Sequence, residues 1–294
     1  MSGPQAAWLA AMPGEFPRLH LQHGPIDLII GCQGSSQAVR AAQMRAWNRF
    51  QKVLGELVEE LELLRKPLHS VAPLFQGPIA RRMAAACRPY AAEFITPMAA
   101  VAGAVADDIL AAMLEGGEVA KVYVNNGGDI ALHLQPGQVF RAGLAIGDAA
   151  PLPCGFAEIS ASSPNRGIAT SGWRGRSFSR GIADAVTVLA ADAARADAAA
   201  TMIANAVDAE HPAIRKVPAN QLQEESDLGG IPVTVAVGDL PASVVGDALS
   251  AGLRLAQDLR RRGLIGAAHL VLADQRVSIG ESLSVASPVL RALP

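Results

Sequence analysis

The sequence predicts an α+β fold, built from antiparallel strands with helices laid on one side. Three observations carry that expectation. Residues 119–146 form extended, largely apolar runs separated by turn residues, the pattern of paired antiparallel strands. Residues 93–117 and 192–207 have the Ala-rich composition of buried helices. The last part of the chain closes on a strand, a helix and a hairpin, not on the alternating units of a doubly wound sheet.

Taken in order, the first thirty residues are punctuated by Pro and Gly, and 26–30 reads as a short strand. Ser35 or Ser36 caps a helix running to about Leu64. Along it Trp47, Phe50, Leu54, Leu57, Leu61 and Leu64 recur at spacings of three and four, making one apolar face. That face suits a core helix, with a dimer contact as the alternative. Pro- and Arg-containing loops are expected over 66–89. Thr96-Pro97 turns into the Ala-rich helix, which Gly116-Gly117 stops. Strands at 121–124, 130–134 and 139–146 follow as a meander, joined by an Asn-Gly and a Gln-Pro-Gly turn. A strand pair is expected at 156–160 and 167–171, then a buried strand at 185–190 and a helix capped by Asp192. A polar loop over 208–230 leads to strand 231–237, helix 242–262 and hairpin 264–280. The whole, 1–294, reads as one α+β domain or as two intimately packed halves of about 1–207 and 208–294.

Composition narrows the function. The chain has 294 residues, half of them hydrophobic, and a formal charge of -2, so no basic field for nucleic acid is present. Arg260-Arg261-Arg262 is local and ends a helix, where cations offset the dipole. Cys32, Cys87 and Cys154 stand far apart without a Cys-x-x-Cys pair, which argues for a reducing compartment and against a zinc site. No secretory leader is visible, and no apolar run reaches the roughly eighteen residues that span a bilayer. These readings predict a cytoplasmic protein without membrane or nucleic-acid partners. The abundance of Ala- and Gly-lined helix faces suggests a homodimer.

Three stretches carry more polar chemistry than their local structure requires. The turn Asn125-Asn126-Gly127-Gly128-Asp129 holds two amides and a carboxylate where one Asn-Gly pair would close a hairpin. The strand end Ala169-Thr170-Ser171-Gly172 presents hydroxyls and N–H groups suited to a phosphate, with Arg174, Arg176 and Arg180 nearby. In the helix after Asp192, the residues Asp197, Thr201 and Asn205 share one face at spacings of four. Asp197 and Thr201 offer two hard oxygens to Mg2+ or Ca2+. The alternative is that Thr201 bonds back within its helix and Asp197 is an exposed first-turn acid. Walker, Gly-x-Gly-x-x-Gly and Gly-x-Ser-x-Gly signatures are missing.

The ordered set "NNGGDI", "GIATSG" and "ADAVTVLAADAARADAAAT" resembles the ApbE-like superfamily, which includes the FAD:protein FMN transferases. The wording is most similar to a short, uncharacterised branch. The resemblance implies tandem T-fold-like α+β units, and a site in which Asp197 and Thr201 ligate magnesium with a backbone carbonyl near Val101. It also implies that Asn125, Asn126, Gly127, Gly128 and Asp129 lie against FAD, while Thr170, Ser171 and Gly172 approach its phosphates or ring. Two elements of the transferases have no counterpart. Their Lys-Gly-Tyr is here Ala102-Gly103-Ala104, and their His-Ile-Ile-Asp-Pro region shortens to Ser177-Phe178-Ser179-Arg180-Gly181, without the histidine that assists proton removal. Asp184 is the candidate substitute base, or an acid behind the metal; its other reading is a solvent-facing strand-end carboxylate. Three functions follow: a metal-dependent FAD-binding transferase with a protein acceptor, a flavin or nucleotide binder without catalysis, or a catabolic enzyme acting on a small carboxylate.

Overall fold

The computed structural model describes residues 18–69, 74–117, 119–147 and 152–285. Strands β1 (Arg18–His23) and β2 (Ile26–Gln33) form an opening hairpin, of which only the second strand is legible in the sequence. Helix α1 (Ser36–Glu59) starts at Ser35, whose hydroxyl accepts from the Ala38 N–H at 3.2 Å. The expected single helix to Leu64 is interrupted at Glu60 and resumes as α2 (Leu61–Leu64). The Glu60 carboxylate accepts from the backbone N–H of Gln76 and Gly77, at 2.8 and 2.6 Å. It thereby fixes the start of α3 (Pro78–Cys87), which replaces the loop expected over 66–89. Pro78 supplies a preset first turn, and Ile79, Ala80, Met83 and Cys87 make a buried stripe.

A 3-10 turn at Pro97–Ala100 leads into α4 (Val101–Leu114). Pro97–Leu114 is in fact apolar and long enough to cross a bilayer, correcting the sequence expectation, and 61% of it is buried inside the protein as a core helix. Next come β3 (Lys121–Asn126), β4 (Asp129–Leu134), β5 (Val139–Ile146), β6 (Leu152–Ser160), β7 (Gly167–Ser171) and β8 (Ala185–Ala190). Helix α5 (Ala193–Ala206) follows, and the expected polar loop over 208–230 contains β9 (Ile214–Pro218) and α6 (Ala219–Leu222). The described residues end with β10 (Pro232–Val237), α7 (Ala242–Arg261), β11 (Ala267–Leu272), β12 (Gln275–Ile279) and β13 (Leu283–Val285).

The architecture is α+β with antiparallel pairing throughout the described strands. An eight-stranded sheet runs β1-β2-β3-β4-β7-β8-β11-β12, a smaller one runs β13-β6-β5, and β9 and β10 make a ribbon. Two expectations are corrected here. The meander stops at β4, because β5 leaves for the small sheet; and β6 pairs with β5 and β13, not with β7. The cause lies in apolar faces: Phe140, Leu144, Cys154 and Ile159 of the small sheet pack on Leu132, Ile168, Leu189 and Val271 of the large one. The other face of the large sheet carries the helices, so all six residues of β8 are buried.

Helices α4 and α5 approach until their backbones nearly touch. A Cβ on Gly103 would lie 2.3 Å from the Ala193 carbonyl oxygen, so only glycine fits. Small residues on both helices are therefore a packing requirement within one chain.

Candidate functional site

The β3–β4 turn explains its surplus of polar residues. Its two central positions are Gly127 and Gly128, with φ of 62° and 114°, left-handed values that the tight hairpin requires. Asn125 Oδ1 accepts from the Gly128 N–H at 2.8 Å and closes the turn. Asn126 Nδ2 donates to the Ala102 carbonyl at 3.1 Å, fastening it to α4. Asp129 Oδ1 accepts from the Thr170 N–H at 3.2 Å, fastening it to β7.

Asp197, on the second turn of α5, lies beside Asp129. Its Oδ2 accepts from the Gly103 N–H at 3.1 Å, so it is not the exposed first-turn acid of the alternative reading. The two buried carboxyls are close enough for each to influence the other's protonation. Burial pushes both well above the ordinary carboxylate range, and the charge of Asp129 pushes Asp197 further. Such a pair needs a shared proton or a cation. Thr201, one turn along, also lines the space in front of them. Among the described residues no three His, Cys, Asp or Glu side chains form a metal-binding group. The donor set is two carboxylates with hydroxyl oxygen nearby, a set that fits a hard divalent cation keeping open positions for ligand or water. The Ala102 carbonyl next to Val101 already accepts from Asn126.

At the end of β7 the Thr170 hydroxyl bonds to that of Thr187 at 2.8 Å. Beyond Gly172 the loop is held by Asp184, whose carboxylate accepts from Trp173 Nε1 at 3.1 Å, Arg174 Nε at 2.5 Å and the Ala273 N–H at 2.6 Å. Asp184 is buried, against the reading of a solvent-facing carboxylate. Of the three nearby arginines, Arg174 lies 4.6 Å over the Trp173 ring and Arg180 lies 5.9 Å over Phe94. Arg176 alone reaches the cavity wall, at 3.0 Å from where a Cβ on Gly127 would sit. Asn205 turns away to accept from the Arg180 N–H at 3.0 Å.

These elements surround a cavity of about 840 Å³, a size typical of small-ligand sites. Asn125, Asn126, Gly127, Gly128, Asp129, Thr170, Ser171, Gly172, Asp184, Asp197 and Thr201 all lie on its walls. Sequence reasoning missed the opposite wall, made by Leu54, Leu57, Val58, Leu61 and Leu64. The continuous apolar face of that helix was the signal, read only as core or dimer contact.

The chain belongs to the family described as AbpE bacteria, whose model matches residues 7–281. That finding bears out the resemblance carried by the three motifs. The chain is 40% identical over 131 residues to a UPF0280 protein of Methanothrix thermoacetophila, covering 44% of this chain and 52% of that one. With a UPF0280 protein of Methanopyrus kandleri it shares 41% over 137 residues, 46% of this chain and 51% of the other. The chain thus spans about half the length of these curated relatives. The apo crystal structure of the flavinyl transferase ApbE of Pseudomonas stutzeri aligns over 91% of this chain and 95% of that one, at a TM-score of 0.49 and 12% identity.

Proposed function

We propose that the protein binds FAD or a related phosphorylated ligand in this cavity through a divalent cation held by Asp129, Asp197 and Thr201. The observation that carries the reading is convergence: three motifs distant in sequence contribute Asn125 to Asp129, Thr170 to Gly172, and Asp184, Asp197 and Thr201 to one cavity around a buried acid pair. The cation, when bound, neutralises the acid pair and the phosphate charge. Asn126 and Asp129 hold the turn in place, the β7 end offers hydroxyls and N–H groups to the phosphates, and Arg176 adds a positive charge across from them.

A second reading is binding without group transfer to a protein acceptor, and a specific observation favours it. Among the described residues no histidine lines the cavity, and the candidate base Asp184 already accepts three hydrogen bonds, which suits an anchor for the 172–176 loop better than a proton acceptor.

Calorimetric titration of FAD with Mg2+, then with a chelator, then into Asp197→Asn tests the proposal. Binding that needs both the cation and the carboxylate supports it; equal binding in all three conditions, or none in any, overturns it. If FAD binds, mass spectrometry of threonine-containing proteins incubated with the complex separates transfer from binding alone.

A further inference from the structure

The cavity has two chemically different ends. The acid pair, the β3–β4 turn, Thr170, Ser171 and Arg176 make one polar end. The other is built by Leu54, Leu57, Val58, Leu61 and Leu64 of α1 and α2, faced by Ile26, Met98, Val101 and Val105. Arg65, the cation on that side, is already paired with Glu225 at 3.0 Å. Among the described residues no Phe, Tyr, Trp or His lines the cavity, so there a flat ring gains no stacking partner and a polar ring edge placed against the leucines finds no hydrogen bond.

We infer that the α1 end is a hydrocarbon subsite, which selects ligands carrying an aliphatic group or a methylated ring edge joined to the phosphate held at the polar end. The inference rests on the phosphate-binding reading above for that polar end and adds what the remainder of the ligand must be. Two sources share the chemistry: the dimethylbenzene edge of a flavin, and the chain of a plain alkyl phosphate.

Isothermal titration of inorganic pyrophosphate and of n-alkyl phosphates from ethyl to hexyl, with Mg2+ present, tests it. Affinity should rise up to about fourfold per added methylene, the equivalent of about 0.8 kcal/mol for a buried CH2. Val58→Asn and Leu61→Asn, made separately so that either one folding suffices for the test, should flatten that rise while leaving pyrophosphate binding unchanged. Val58 is 57% exposed and tolerates a polar side chain best. A flat series in the wild type with pyrophosphate still bound overturns the hydrocarbon subsite and leaves the phosphate end standing. Loss of all pyrophosphate binding overturns both, because the hydrocarbon is delivered by an anchored phosphate. FAD then separates the sources: tenfold weaker binding to Leu61→Asn marks the dimethylbenzene edge, whereas an unchanged or absent FAD affinity beside a steep alkyl series marks an aliphatic ligand.

Discussion

Asp107 and Asp197 cap each other's helices. Asp107, on α4, accepts from the Ala193 and Ala194 N–H groups that open α5, at 3.1 and 3.0 Å. Asp197, on α5, accepts from the Gly103 N–H near the start of α4. The α4 N-terminus has no side-chain cap of its own, and Asp192 serves only the Arg195 N–H of α5. Two positive helix ends are thus brought together, each offset by a carboxylate from the other.

Replacing Asp107 removes two buried acceptors at once. Asp107→Ala should destabilise the protein by roughly 1–3 kcal/mol in urea denaturation. An unchanged midpoint would show that water satisfies those N–H groups.

Asp107 also gives stability a pH dependence. Burial, the largest influence, pushes its pKa from 3.8 up to about 6, while the Ala194 and Ala193 N–H bonds pull it down. The folded state therefore holds a proton that the unfolded chain has released between about pH 4 and 6, so this group's stabilising contribution falls as pH rises through that window and is lost above it. Denaturation midpoints across those values should show the decline in the wild type and a flatter profile in Asp107→Asn.

Much of this framework is legible in the sequence, and the reason differs by element. Helices α4, α5 and α7 declare themselves through Ala content and periodicity, and hairpin β11–β12 through a buried apolar run, a turn and a second extended run. Local pattern cannot say which sheet a strand joins: β5 and β6 look like meander strands, yet their apolar faces send them to a second sheet. Helix α3 hides because its Arg81-Arg82 pair and flanking Pro resemble a loop; Gly77-Pro78 before a buried stripe is the signal that finds it. The site motifs were readable as an ordered set, whereas Asp107 was not, since its role exists only once α4 meets α5.

Gly103→Ala should be among the most damaging single-methyl changes. The added Cβ meets the Ala193 carbonyl rather than a movable side chain, so the helices must separate at a cost of about 1–3 kcal/mol or more. Thermal denaturation measures it; a melting temperature equal to wild type would mean that the two helices part freely.

Asp184→Ala leaves Trp173, Arg174 and the Ala273 N–H without their shared acceptor. In a background with Trp8→Phe and Trp47→Phe, which leaves Trp173 as the sole tryptophan, emission should shift to the red and stability should drop by about 2–4 kcal/mol. Unchanged emission would indicate that the loop is held by other contacts.

The place of β11 in the large sheet has a consequence for synthesis. Strand β8, apolar and enclosed on both faces, pairs with β7 on one side and on the other with β11, which emerges from the ribosome only after β9, β10 and α7. Until then a growing chain carries an open, sticky edge at the middle of its future sheet. Nascent chains stalled before Ala267 should therefore recruit chaperones and resist folding, and full protease protection should arrive late, in one step, when the final hairpin docks.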